Sequence, residues 1–361
     1  MATSVSGPTP RTADPAPASV STSAAPALAE LRPLWRRPVT WAWTALFVVG
    51  LVVPFLVSDF DLFRATRVLT VAIAVAGLNL LIGRAGQISA GHGALYGLGA
   101  YSAMLLVKEL EWAWPLAVLA AVVISGAAGW LIGLPALRVR GLNLGLLTIA
   151  IAAIFPLLLA RFEGLTGGTV GLQLAGSPIT PPESLGLTDE QFQFLLLVVV
   201  LSVVLVLLRN LTTGPLGRAV EALRVNPLMA RSEGVDVNRL TLTMFGISSA
   251  VAGLGGALGG LILASTVPDS YSMFFSLTLL SACVVGGSRT WAGSVVGAAF
   301  IVYLPDVISQ QIGSTTGGQW SQLVYAVALL LTLFFLPTGV AGGAGRLLAR
   351  LTGGRPRRST A

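Results

Sequence analysis

Residues 209–239, RNLTTGPLGRAVEALRVNPLMARSEGVDVNR, carry five arginines between two long hydrophobic runs. Within this stretch Asn226-Pro227 and Gly234 punctuate a short helix. An asparagine side chain accepts hydrogen bonds from free first-turn amides, proline fits the first helical position, and glycine supplies a left-handed exit. The spacing predicts a helix of about two turns, too short to be stable alone and therefore held by what it touches. A polar, arginine-rich connection between membrane-length runs, carrying one rigid knob, is suited to docking a partner on the inner face of a membrane. An ordinary surface helix in a long loop is the plainer alternative.

The rest of the chain agrees with a membrane setting. Of 361 residues, 54% are hydrophobic and only 10% charged, and mean hydropathy is +0.83, whereas soluble domains carry about 25% charge. The formal charge of +7 is spread among hydrophobic spans, so it does not form the single basic face of a nucleic-acid binder. The one cysteine, Cys283, falls in an apolar run, which excludes an intrachain disulfide and predicts a small buried side chain. Residues 1–38 open with an Ala/Pro/Ser/Thr-rich stretch that cannot bury enough surface to fold, and they read as a disordered tail. Their first apolar run begins only after Arg32, Arg36 and Arg37, which does not fit a signal peptide. Residues 341–361, with five arginines, read as a second tail lying against anionic headgroups.

Crossing the hydrocarbon layer takes about 20 apolar residues per helix. Measured against that length, residues 39–340 divide into ten candidate spans: 39–57, 66–83, 88–107, 114–134, 142–160, 191–208, 241–264, 273–287, 291–309 and 322–338. The expected class is therefore an all-α polytopic membrane protein with about ten transmembrane helices, some short or discontinuous. The run at 273–287 is the weakest and could be half of a broken helix. Basic residues favour the cytoplasmic side. With both termini cytoplasmic, only Arg64, Arg67, Lys108 and Arg161 of 22 basic residues fall outside, while Asp14, Glu30, Glu221, Glu233 and Asp236 are the acids left inside. This places the coupling loop at 209–240 inside and the connection at 161–190 outside. Turn-forming Thr166-Gly167-Gly168, Gly171 and three prolines mark that outer loop, and Thr188 with Gln191 can close a capping box on the next span. So long a loop is often functional, and it reads as the surface that receives a substrate or its carrier.

Interior chemistry narrows the function classes. Apart from His92, the centres of the proposed spans carry almost no ionisable group. Proton- and ion-driven carriers place such groups near the midplane. One histidine, one cysteine and no clustered intramembrane carboxylates cannot assemble a metal or hydrolytic site. The only lysine, Lys108, sits in Val-Lys-Glu and not in a phosphate-cradling glycine loop, so the chain carries no ATPase site of its own and no cofactor motif. The stretch from Gly83 to Tyr101 is too glycine-rich and polar to face lipid. Irregular backbone at membrane depth is tolerated only inside protein or along a cavity. Gly86, Gln87, Ser89, Gly91 and His92 are therefore candidates to border a translocation path, or else form a packed turn whose polar groups satisfy the backbone.

These residues also carry a resemblance. Gly83-x-x-Gly86-Gln87-x-Ser89-x-Gly91-His92, followed by Gly97-x-Gly99-Ala100-Tyr101, resembles the signature of the permease subunits of branched-chain amino acid ABC importers. Leu137-Arg138-x-Arg140-Gly141 and Thr166-Gly167-Gly168-x-x-Gly171 are similar to the LivM-like sub-type. In the inner loop, Gly217-Arg218-Ala219, Ala222-Leu223-Arg224-x-Asn226 and Ala230-Arg231-x-x-Gly234 resemble the family's ATPase-engaging segment. Ala252-Gly253-Leu254 and Gly286-Gly287-x-x-Thr290 continue the pattern, while Pro227, Met229 and Ser294 depart from it. The resemblance implies an importer half in the cell membrane, paired with a homologous second permease, two cytoplasmic ATP-binding subunits and an extracytoplasmic binding protein. Arg218, Glu221, Arg224, Asn226, Ala230, Arg231 and Gly234 would then couple to the ATPases, and the substrates would be branched-chain amino acids. A permease of the same architecture for urea, amides or another small polar solute is the nearest alternative, and an ATP-independent carrier the next.

Overall fold

The computed structural model describes residues 50, 52–139, 141–312 and 327. The tails at 1–38 and 341–361, Arg140, and all but a few residues of the expected spans 39–57 and 322–338 lie outside the described residues. By its contacts the chain divides between Leu46 and Phe47, and every described residue belongs to the second unit.

The described fold is helical. Helix α1, Asp59–Leu78, starts where the Ser58 hydroxyl oxygen accepts from the Asp61 amide, with Asp59 and Asp61 in the first turn. Carboxylates there complement the positive end of the helix. It continues as a π-turn over Asn79–Arg84. Then follow α2 (His92–Leu110), α3 (Trp114–Ala136), α4 (Leu142–Arg161) and the single turn α5 (Glu163–Thr166). Strand β1, Leu172–Gln173, leads to α6 (Asp189–Thr213), α7 (Pro215–Val225), α8 (Pro227–Ser232) and α9 (Val237–Leu263). Strand β2, Ser265–Thr266, pairs antiparallel with β1. A 3-10 turn, Pro268–Tyr271, precedes α10 (Met273–Gly286) and α11 (Trp291–Ile312).

Six of the described helical stretches are long and apolar enough to cross a membrane. The protein is a multi-pass membrane protein. Helices α1, α2 and α9 form its centre, with α3 packed on α9, α11 on α10 and α1, and α6 on α1. Leu116, Leu119, Val123 and Leu131 of α3 and Ile154 and Leu157 of α4 stay exposed. Such faces suit lipid tails, which are as apolar as leucine. Helix α2 is not among the six, because His92, its glycines and the Lys108-Glu109 pair lower its hydropathy. From His92 to Met104 it is nearly all buried among other helices, and it does not need to satisfy lipid.

Three expectations are corrected. The second span begins at Asp59 and not at 66, because Ser58 with two acids is a helix start; Arg64 consequently lies on the helix and not in a loop, and Arg67 lies two turns inside it and not at its first residues. The third begins at His92 and not at 88, since residues 85–91 run as irregular backbone. The 209–240 loop holds two helices and not one, because α7 buries Val220 and Leu223, one turn apart, beneath an exposed polar face. The weak run at 273–287 is a 14-residue helix, α10, and reaches span length only together with the 3-10 turn before it.

Candidate functional site

At the α7–α8 end, the expected cap is formed. Asn226 Oδ1 accepts from the Leu228 amide at 2.9 Å and the Met229 amide at 3.4 Å. Gly234 takes φ +82° at the exit. Ala230 is buried, whereas Leu228 and Met229 are 71% and 61% exposed, so α8 grips the protein with one side and offers apolar tips with the other. Arg231 Nη2 donates to Asn238 Oδ1 at 3.3 Å, tying α8 to the start of α9.

Helix α7 connects this knob to the membrane core. Arg224 Nη1 donates to the Gly83 carbonyl at 3.0 Å. Its stem runs over Gly86, whose φ of +68° and lack of a Cβ are both required there, because a methyl would sit 2.8 Å from Arg224 Cγ. Glu221 pairs with Arg289 at 2.8 Å, while Arg84 donates to the Arg289 carbonyl at 3.4 Å and lies over the Trp291 ring. With Arg218, Thr212 and Gly217 these side chains line an open cavity of about 340 Å³. Both the Arg289 and Glu221 side chains are about half exposed, and surface pairs of this kind contribute at most about 1 kcal/mol.

The turn from Gly86 to His92 divides in two. Gly86 is exposed and Gln87 half-buried, but Ser89, Gly91 and His92 are enclosed. His92 Nδ1 meets the Ser89 hydroxyl at 3.0 Å and Nε2 meets the Ser248 hydroxyl at 2.7 Å. Ser248 in turn donates to the Gly77 carbonyl at 2.7 Å. Both ring nitrogens are thus used to pin the start of α2 between α1 and α9. Asn79 plays a matching part on the other side: it donates to Ser294 at 2.6 Å and accepts from the Cys283 thiol at 2.8 Å. Deleting the imidazole by His92→Ala leaves Ser89 short of a partner and opens a void, so stability should fall by about 2–4 kcal/mol. Thermal unfolding of the purified protein measures it; an unchanged midpoint would contradict the structural role of this ring.

Toward the other end of α1 lies a larger cavity, about 460 Å³, bounded by α1, α2, α9, β2, the 3-10 turn, α10 and α11. Arg67, Thr66 and Thr70 face it from α1, Tyr96 from α2, and Tyr271 and Phe275 from the other side. Tyr96 and Phe275 stack edge to face at 5.4 Å between centroids, and Tyr271 stands 6.0 Å from both Tyr96 and Tyr101. Thr266 donates to the Tyr271 hydroxyl at 2.7 Å. The 161–190 loop approaches this cavity through the strand pair, where Leu172 faces Thr266. Thr166 donates to the Leu159 and Phe162 carbonyls, and Gly167, Gly168 and Gly171 all take positive φ on the way to β1. The Thr188–Gln191 capping box is formed in both directions. Among the described residues no cluster of His, Cys, Asp and Glu could hold a metal ion.

The family profile described as branched-chain amino acid transport system / permease component matches residues 62–335. The chain belongs to this family. The high-affinity branched-chain amino acid transport system permease protein LivM of Salmonella typhimurium is 30% identical over 321 residues, covering 82% of this chain and 73% of that one. LivM of Escherichia coli K12 matches to the same extent. The permease protein BraD of Pseudomonas aeruginosa is 25% identical over 288 residues, 76% of this chain and 92% of BraD. No solved structure matches. This permease is thus LivM-like and resides in the cell membrane.

The site candidates of the permease sort by place. Arg224 meets the α1–α2 turn, Glu221 pairs with Arg289 before α11, and Arg218 joins Glu221 in the smaller cavity; Asn226, Ala230, Arg231 and Gly234 shape α8. None of Gly86, Gln87, Ser89, Gly91 and His92 lines the larger cavity. The residues of that cavity were not singled out from the sequence. Its signal was present at Ser58-Asp59-x-Asp61, which marks a helix start and so carries Arg67 two turns inside a span.

Proposed function

We propose that this permease is one half of the translocation path of an ATP-driven importer for branched-chain amino acids. It acts with a homologous second permease, two cytoplasmic ATP-binding subunits and an extracytoplasmic binding protein, and has no ATPase site of its own. In this reading residues 39–340 form about ten spans with both termini cytoplasmic, so α7 and α8 face the ATPases. The observation that carries it is the hydrogen bond from Arg224 to the Gly83 carbonyl. Movement imposed on α7 and α8 reaches the α1–α2 turn through one rigid link and, through the His92 network, the packed centre. Gly86 and Gln87 border the path at the exposed tip of that turn, while Ser89, Gly91 and His92 hold its shape. Thr166, Gly167, Gly168 and Gly171 configure the outer loop for the binding protein. The names of the relatives support the substrate class. The test is uptake of labelled leucine, isoleucine, valine and urea by vesicles containing the complete reconstituted complex. Leucine, isoleucine and valine should accumulate only with ATP inside the ATPase-bearing compartment; preferential urea uptake would reassign the solute, and accumulation without nucleotide would sink the ATP-driven reading.

A further inference from the structure

We infer that the 460 Å³ cavity is a binding site for the zwitterion of an aliphatic amino acid, with the Arg67 guanidinium taking the carboxylate and the aromatic wall taking the side chain. This rests on the amino-acid reading above and adds to it the place and the groups that recognise the solute. The volume lies within the roughly 300–1,000 Å³ of small-molecule sites. An ionisable side chain within a span marks a path or a site by default. Arg67 lies eight residues into α1, about 12 Å along its axis. Among the described residues the ion pairs are Lys108–Glu109, Arg239–Asp236 and Arg289–Glu221, and no carboxylate pairs with Arg67. A planar guanidinium is the side chain best shaped to take a carboxylate by two parallel hydrogen bonds.

The opposite charge of the solute needs acceptors, and the cavity supplies them without a carboxylate. The hydroxyl protons of Thr66, Thr70 and Thr278 are committed to the carbonyls of Leu62, Arg67 and Phe274. Their oxygens keep lone pairs, which an ammonium group can use. Tyr96, Tyr271 and Phe275 with Leu279 and Ile301 form an apolar side large enough for a branched chain. Gly259 makes room for this wall, since a Cβ there would strike the Tyr96 hydroxyl. The strand pair ties the floor of the cavity at Thr266 to Leu172 of the outer loop, so the surface that receives a carrier and the chamber beneath it are one connected piece.

The test uses a thiol introduced by Ser270→Cys, an exposed position lining the cavity but outside the proposed ligand contacts, in the complete complex with its binding protein, where the native Cys283 is fully buried and protected from reagent. Millimolar leucine should slow labelling by a small charged methanethiosulfonate at least fivefold, and leucinol, which lacks the carboxylate, should not. Adding Arg67→Gln should abolish protection and cut leucine uptake at least tenfold, while Arg67→Lys should restore part of both. If leucine leaves labelling unchanged in a complex that still accumulates leucine, the cavity assignment is wrong and the importer reading stands. If that complex accumulates no branched-chain amino acid, the importer reading itself falls and the assignment with it.

Discussion

Gly256→Val is expected to eliminate the folded permease. Gly256 lies about three quarters of the way along α9, and a Cβ built on it would collide with the backbone carbonyl of Tyr96 on α2. On the reverse side of the same crossing, a Cβ at Gly99 would meet the backbone of Gly253. Backbone cannot swing aside as a side chain can, so the two central helices would have to separate. Overpacking a well-filled core costs about 1–3 kcal/mol even when side chains can adjust, and here α1, α2, α3 and α9 would all lose their fit. Size-exclusion chromatography of the variant in mild detergent should show aggregate in place of the wild-type peak. Gly246→Ala in the same helix is the control, because its new methyl would meet only Gly126 O at 3.5 Å and Trp130 Cβ at 3.8 Å; it should behave as wild type or be slightly more stable, as alanine for glycine within a helix gains about 0.5–1 kcal/mol. A monodisperse, stable Gly256→Val protein would disprove close helix approach at this crossing.

Arg224→Ala should uncouple the complex without unfolding it. The side chain is part-buried at the protein surface, and its removal deletes the hydrogen bond to Gly83 and the stem that covers Gly86. The α7–α8 docking unit keeps its own cap at Asn226 and its Glu221–Arg289 pair, so the ATPases should still bind. Substrate-stimulated ATP turnover by the reconstituted complex should drop to the unstimulated rate, with uptake reduced at least twentyfold and unchanged amounts of assembled complex. Wild-type stimulation in this variant would remove Arg224 from the coupling route.

Much of the architecture was legible from composition and turn chemistry. The cap at Asn226, the exit at Gly234 and the capping box at Thr188 are local devices, each readable from three or four neighbouring residues. The apolar lengths located α3, α4, α6 and α9 to within a few residues. What the sequence did not yield depends on contacts between distant parts of the chain. Hydropathy alone delayed the start of α1 past its charged first turns, which left Arg67 at the edge of the span when it lies two turns inside. Helix α7 was missed because two buried residues, Val220 and Leu223, are a faint periodicity in a loop dense with arginine. The Ser89–His92 pair offered no sign in the sequence of Ser248, 156 residues away, which meets the other ring nitrogen. The larger cavity draws on seven separate elements, β2 among them, and no single window of sequence contains it.

The burial of α2 has a consequence for how the polypeptide is made. Emerging from the ribosome, His92–Leu110 is a poor candidate to enter lipid by itself, since its first turns carry an imidazole and three glycines and its end carries Lys108 and Glu109. The segment that shields it most closely, α9, is synthesised only from Val237 onward. For the interval between them the nascent chain holds a weakly apolar helix that α3 covers on one side only, and the face that α9 will cover stays open until that neighbour arrives. Biogenesis of this permease is therefore a delayed assembly in which the centre closes no earlier than the arrival of α9.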